Sequence, residues 1–497
     1  MMRRTTHRLL ALALTLYVSI PASAQELGGT WGTADAEAEY YRIVDLPLPK
    51  NLPLEVGSFD VVPDGRLVVG TRRGDIYLVN GAFDPRPQLR FRRFASGLDE
   101  IFGVGYRDGS FYVTQQTEVT RIRDLDGDER ADRFDTLSDT WGFEHYHEFS
   151  WGSRPDDDGN IWVVLGLSAS YHYRAKFRGW AMKITPDGKT TPIASGIRSA
   201  GGVAPNEHGE MFYVESQGPW NGSCSLKHLK PGGFMGHPIS FEAYKFAPNM
   251  GPKPIEPKSG SRMAVESARV KELVPYAVVF PYRKMGQSIS GFRVDKSGGK
   301  FGPFQNQIFV ADYSLSIVMR ATTEKVNGVW QGACYQFREG FSTGLLAVQF
   351  SPQGQLVVGG TNRGWPVRGS RQYVLERLDW TGKTPFDIER ISIRPKGFVL
   401  RFTKPVDSKT ASDPKSYEVS HFTHIYHKFY GSPEVDQGDA KVVAAKVSED
   451  GREVTLELDA ITKGHVHAFH ASGVLSAEKK PLLHKRAYYT VNEIPKP

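Results

Sequence analysis

The stretch FDVVPDGRLVVGTRRGDIYLV, residues 59–79, carries the pattern on which the fold turns. Apolar side chains recur at alternate positions on either side of a Pro-Asp-Gly turn at 63–65, and a second turn, Arg-Gly-Asp at 73–75, opens a third apolar run. Alternation of period two across tight turns is the mark of antiparallel strands in hairpins. The arrangement returns in FGVGYRDGSFYVTQQTEVTRI (102–122), FSWGSRPDDDGNIWVVLG (149–166), GGVAPNEHGEMFYVESQGP (201–219), FGPFQNQIFVADYSLSIVMRA (301–321) and LAVQFSPQGQLVVGGTNRGW (346–365). Sheets repeated in this way close radially, leaving only short edges exposed. The expected fold is all-β: a six-bladed β-propeller over residues 42–382, with a long insertion from about 220 to 286 ahead of the fifth copy.

After residue 382 the repeat stops, although GFVLRFTKPV from Gly397, KVVAAKVS from Lys441 and EVTLELDA from Glu453 still alternate. A separate, small immunoglobulin-like β-sandwich over 384–497 fits that size and pattern. No cluster of catalytic residue types stands out in it, so packing or adhesion is its expected role. Composition agrees with a β-rich chain, because 51 Gly and 31 Pro in 497 residues imply many turns between short apolar segments.

The N-terminus, MMRRTTHRLLALALTLYVSIPASAQE, places Arg3, Arg4 and Arg8 before an apolar run from Leu9 to Ile20 and the small-residue site Ala22-Ser23-Ala24. It reads as a secretory signal peptide over 1–24, and the mature protein is expected to be secreted or periplasmic. No run reaches the roughly 20 apolar residues of a membrane span. The formal charge of +7 falls to about +4 without the leader arginines and is spread without blocks, which argues against a nucleic-acid partner. Export makes Cys224 and Cys334 either one disulfide or two buried free thiols, and the absence of CxxCH excludes c-type haem.

Three constellations can carry chemistry. In GFEHYHEFSW, His145 and His147 alternate ahead of the third copy, on one side of a strand whose end is delivered to the central channel. His147 there is either a general base, since imidazole titrates near neutrality, or a structural histidine. Arg198, in SGIRSAGGVAP, occupies the equivalent place before the fourth copy. Its guanidinium can hold a carboxylate or sugar hydroxyls, or pin a neighbouring blade. Around Gly127, Asp124, Asp126 and Asp128 set oxygens at alternate positions like the opening of a calcium loop, although the closing glutamate of an EF-hand is missing. A self-capped turn is the alternative. His145, Tyr146, Tyr171 and Trp220 add flat faces and polar edges suited to a sugar ring, while Arg363 and Arg368 close the last copy.

The runs HEFSWGSRPDDDGNIWVVLG, GIRSAGGVAPNEHGEMFYVESQGP and LKPGGFMGHP resemble the glucose/sorbosone dehydrogenase family of six-bladed propellers, whose soluble members use pyrroloquinoline quinone (PQQ) with calcium. MGQSISGF, GKFGPF, QGAC, RGW and YGSPEVDQ resemble more closely a branch of secreted planctomycete and verrucomicrobial propellers with a trailing β-sandwich. The resemblance implies a sugar or polyol dehydrogenase in which His147 is the base and electrons leave to an external acceptor. It places Arg198 beside the quinone, with Ser199 as the next cofactor-side position, and Gly218 and Pro219 in the segment that supplies calcium ligands. Four positions depart from it: Ser199 stands where the family has an asparagine, the quinone-binding lysine falls at Ser314, and an arginine pair falls at Gly344 and Leu346. That removes about three positive charges opposite a tricarboxylate, each charge-assisted bond being worth roughly 1.5–3 kcal/mol, unless Arg363 or Arg368 compensates. A non-oxidative calcium-dependent lactonase or lyase, or a glycan-binding propeller, are the alternatives on the same scaffold.

Overall fold

A computed structural model describes residues 26–167, 173 and 175–496, so the leader and Tyr171 lie outside the described residues. Six antiparallel sheets stand around an axis. Their innermost strands are Val56–Val61, Gly103–Arg107, Ser150–Gly152, Ala200–Pro205, Ile289–Val294 and Leu345–Phe350. Each packs on the next, and the sixth returns to the first, closing a six-bladed propeller. Blade I shows how the repeat translates: strands Val56–Val61 and Leu67–Thr71 flank the Pro-Asp-Gly turn, and Ile76–Asn80 and Arg90–Ala95 complete the sheet.

Blade VI takes its outer strand from the other end of the propeller, Tyr41–Asp45 pairing antiparallel with Tyr373–Trp380. This joins the two ends of the ring by backbone hydrogen bonds. Glycines let neighbouring inner strands approach closely: a Cβ on Gly103 would lie 2.7 Å from the Cα of Gly152, and one on Gly201 would lie 2.2 Å from the Ile289 carbonyl oxygen.

The long insertion falls inside blade IV, between its third strand, Cys224–His228, and its fourth, Val278–Phe280. On the way it adds Gly233–Phe234 as a fifth strand of blade III, running parallel to Thr190–Ser195.

Residues beyond 384 form a β-sandwich that is not detached from the propeller. Strands Ile388–Arg394, Gly397–Phe402, Glu453–Leu458 and Val442–Val447 make one sheet. The other contains Glu418–Tyr426, Val466–His470 and Arg486–Thr490, and it continues into blade V because Arg486–Thr490 pairs with Val329–Arg338. That outer strand of blade V is 10 residues long, twice the usual blade length, so it outruns the propeller and offers its free edge. At the far edge, Ser261–Arg262 from the blade IV insertion pairs with Glu418–Tyr426. The core is shared as well, with Val326, Ala333 and Tyr335 of blade V packed among Phe398, Leu456, Phe469 and Tyr489. No helix among the described residues is long and apolar enough to cross a membrane.

Cys224 and Cys334 are both free and buried in the core between blades IV and V, and burial pushes both thiols up from their ordinary value. Neither is expected to react with a thiol reagent such as DTNB in the native protein, whereas both react in guanidinium. Stoichiometric labelling without denaturant would contradict this packing.

Candidate functional site

In each blade, the loop entering the inner strand and the loop joining the second and third strands emerge at the same end of the channel. The opposite end is plugged. Asp60, fully buried on the inner strand of blade I, accepts from Tyr106 N of blade II at 2.7 Å and from Gln349 Nε2 of blade VI at 3.1 Å. It also pairs with Arg154 of blade III at 2.6 Å. Arg293 of blade V lies half-buried in the same field, its pKa lowered to about 10 by desolvation and by Arg154. Charged side chains from blades I, III and V, with Gln349 of blade VI and a backbone N–H of blade II, thus meet at this end, and the candidate residues lie at the other.

At that other end stands His147. The structure departs here from the expected strand, because residues 144–148 form a turn in which Glu148 N donates to His145 O at 2.9 Å. The Glu148 carboxylate accepts from Glu144 N at 2.8 Å and His145 N at 3.3 Å. Beneath it Arg178, fully buried, donates to Gly142 O, Glu148 O and Gln116 O. The turn is thus clamped from below and presents His145, Tyr146 and His147 upward. His147 is half-buried, with the Tyr146 ring 3.9 Å and the Trp365 ring 5.3 Å from its own, centroid to centroid. Tyr146 is 67% exposed and Trp365 49%, so two largely exposed aromatic rings lie beside the imidazole. Burial, and then the fields of His145, Arg198 and Arg72, lower the His147 pKa to about 4. The ring is therefore neutral at physiological pH and able to accept a proton.

Arg198 enters from the loop before the inner strand of blade IV. Its backbone N donates to Glu215 Oε1 at 2.6 Å. Glu215 is buried, and it also takes Lys227 Nζ at 2.5 Å and the Tyr213 hydroxyl at 3.0 Å. The guanidinium donates to Gln217 O at 3.0 Å and lies against Gly218, where a Cβ would sit 2.5 Å from Nη1. A side chain at 218 would displace the guanidinium from this position. The Tyr430 ring of the C-terminal unit covers the guanidinium at 5.1 Å. Tyr430 was not recognisable from sequence, since nothing local ties a loop at 427–432 to the propeller mouth.

Arg72 and Arg363 complete the mouth, and both are committed to neighbours. Arg72 bonds Glu100 at 2.9 Å and the Arg363 carbonyl at 3.1 Å, and stacks on Phe102 and Phe149. Arg363 meets Glu100 at 2.5 Å and Glu55 at 3.4 Å. Arg368 holds Gly28 O at 2.8 Å and Gly29 O at 3.0 Å, and so pins the N-terminal segment. Ser199 closes the Arg198 loop, its N donating to Glu215 Oε1 at 3.2 Å and its carbonyl accepting from Ser216 N.

Other expected positions are placed elsewhere. Trp220, a candidate substrate contact, is buried, with its ring edge-on to Tyr426 at 4.9 Å, because its loop is drawn inward by Trp220 N donating to His427 O. Gly218 O accepts from both Asn221 N and Gly431 N and so serves the loop itself, and Pro219 faces Tyr430 in a backbone bridge. Asp124, Asp126 and Asp128 do converge, with ligand atoms within 4.8 Å of one another. They lie between the third and fourth strands of blade II, at the plugged end, far from Gly218 and Pro219. Both Asp124 oxygens accept backbone N–H bonds, from Gly127 at 2.7 Å and Glu129 at 2.8 Å, as in a self-capped turn.

The donors present do not fit a tricarboxylate quinone. Ser314 is buried, with its hydroxyl on Ser288, and Leu346 is packed in the core beside Phe102 and Tyr313. At Gly344 a Cβ would lie 2.7 Å from Val367 Cγ1, so no longer side chain enters there. Arg72, Arg363 and Arg368, the arginines at or near the mouth, are held by carboxylates and carbonyls.

Residues 89–325 match a family described as a domain of unknown function, DUF7133. No curated protein matches the chain. Among solved structures, the chain is similar to a glucose dehydrogenase-type oxidoreductase from Thermus thermophilus, with 18% identity, 68% of this chain and 99% of that one covered, and a TM-score of 0.49. It is also similar to the PQQ-bound aldose sugar dehydrogenase of Streptomyces coelicolor, with 15% identity, 68% and 98% covered, and a TM-score of 0.47. A third is a calcium structure of a Trichoderma reesei carbohydrate-active enzyme of family AA12, with 11% identity, 69% and 96% covered, and a TM-score of 0.48.

Proposed function

We propose that this chain is an exported enzyme acting on a sugar or polyol, in which His147 takes a proton from the bound guest and Arg198 holds the guest's oxygens. The observation that carries this reading is the half-buried, neutral His147 beside the exposed rings of Tyr146 and Trp365. Aromatic faces accept the C–H side of a sugar ring, while the imidazole and guanidinium address its hydroxyl edge. The leader-like N-terminus supports export.

Two kinds of reaction use a base at this position. Oxidation, as in the named dehydrogenases, needs a two-electron acceptor beside the substrate, and the committed arginines and the packed Ser314, Gly344 and Leu346 leave no cation set for the quinone. A non-oxidative course needs no electron acceptor: in elimination His147 takes the proton from the guest's carbon as the leaving group departs, and in lactone hydrolysis it takes it from the water that attacks the carbonyl, with Arg198 facing the anion that develops. The donor set favours the second. The test is a product screen by NMR of neutral aldoses, polyols, aldonolactones and uronides, with and without added PQQ, calcium and a dye acceptor. Turnover without quinone is the expected result. Turnover that requires quinone overturns the non-oxidative course, and no transformation of any compound overturns the enzymatic reading.

A further inference from the structure

We propose that the C-terminal sandwich supplies a second sugar subsite, in which Tyr430 receives a further glycosyl unit, so that the preferred guest is an oligosaccharide rather than a monosaccharide. This rests on the reading of the His147 mouth as a carbohydrate site. Tyr430 is 53% exposed, although its loop is firmly docked on the propeller. Gly431 N donates to Gly218 O at 3.2 Å, Trp220 N to His427 O at 2.7 Å, and Ser432 N to Gly222 O at 3.1 Å, while Pro219 and Tyr430 form a backbone bridge. The His427 ring closes the loop on Gly431 O at 2.6 Å.

A loop fixed by this many backbone bonds could bury its aromatic residue, yet the ring is left open. One face of it covers Arg198, the residue whose charge is felt by His147. Consecutive residues of blade III tie the two loops side by side, Gly166 N donating to Phe149 O at 2.9 Å and Leu167 N to Arg198 O at 2.7 Å, so Tyr430 on Arg198 stands one blade along from Tyr146 and Trp365. A single sugar ring in contact with His147 occupies the Tyr146 and Trp365 side. A glycosidically linked neighbour is the guest whose apolar face and hydroxyls suit Tyr430. The shared sheet through Val329–Arg338 and Arg486–Thr490 and the pairing at Ser261–Arg262 hold the sandwich rigidly enough to serve as one wall of a site.

The experiment is calorimetric titration of the mature full chain with glucose, xylose and mannose and with cellotriose, xylotriose and mannotriose, repeated on Tyr430→Ala and Tyr430→Phe. At least one trisaccharide is expected to bind more tightly than its monomer, by about 3- to 10-fold. That advantage is kept in Tyr430→Phe and lost in Tyr430→Ala, which weakens the trisaccharide more than the monomer. Where turnover is measurable, the loss appears in KM and not in kcat. Equal weakening of monomer and trimer by Tyr430→Ala places the ring in support of Arg198 and overturns the subsite, as does any absence of a length advantage in the unaltered chain. A length advantage that depends on Tyr430 without turnover of any sugar keeps the subsite and removes the enzymatic reading.

Discussion

Replacement of His147 by glutamine is expected to lower turnover by about 10²- to 10⁴-fold, the usual contribution of a positioned general base, while sugar affinity changes by less than about threefold. Glutamine keeps the polar edge and approximate length of the imidazole but cannot take up a proton. Because His147 is half-buried and its turn is held by Glu148 and Arg178, the substitution leaves the clamp intact. The pH profile carries a second signature. The base works only when unprotonated, and its pKa is lowered to about 4, so activity persists well below the ordinary histidine value of 6.5 and falls only as pH approaches 4. Burial is the main cause and Arg198 a further one, so Arg198→Met moves the acid limb upward, toward but not to 6.5. Initial rates from pH 3.5 to 8 read both effects. An acid limb that Arg198→Met leaves in place, or a His147→Gln enzyme of undiminished rate, would remove His147 from the reaction.

The largest expected effect on stability is at His484. Its Nδ1 lies 2.7 Å from Asp387 and its Nε2 2.9 Å from Glu37, and all three groups are buried. Each ring nitrogen faces an acceptor, so both must carry protons and the ring is an imidazolium. Burial alone would lower its pKa, but Asp387 and Glu37 outweigh burial and raise it to about 9. Arg338 bonds the other Glu37 oxygen at 3.2 Å, and Arg320 stands 3.7 Å from Asp387. The cluster ties the N-terminal helix Ala34–Ala38, blade V and the sandwich together.

His484→Leu leaves two buried carboxylates short of a partner and is expected to cost about 3–5 kcal/mol. A group whose pKa is raised by folding stabilises fully below its unfolded value of 6.5, and that stabilisation is lost as pH rises through about 9. Urea midpoints of the unaltered chain and of His484→Leu should therefore differ most near pH 6 and converge by pH 9.5. A difference independent of pH across that window would show that the ring is not charged in the native state.

Local periodicity in the chain specifies strands and turns, and it suffices for the blades. The runs around 63–65, 108–109 and 351–355 become the hairpins they predict, because alternation and turn chemistry act between residues a few positions apart. His147 and Arg198 could be picked out for the same reason, since a residue just ahead of an inner strand must emerge at a channel end wherever the blade sits. Pairs distant in the chain decided the rest. The clamp of Arg178 on Gln116 O and Glu148 O makes 144–148 a turn instead of a strand. The pull of His427 O on Trp220 N buries an indole expected at the surface. Asp60 meets Gln349 across 289 positions, His484 meets Glu37 across 447, and Tyr430 reaches Arg198 from another sheet system. A lone histidine, aspartate or tyrosine carries no period and no turn signal, so its partner exists only once the ring has closed and the sandwich has joined the edge of blade V.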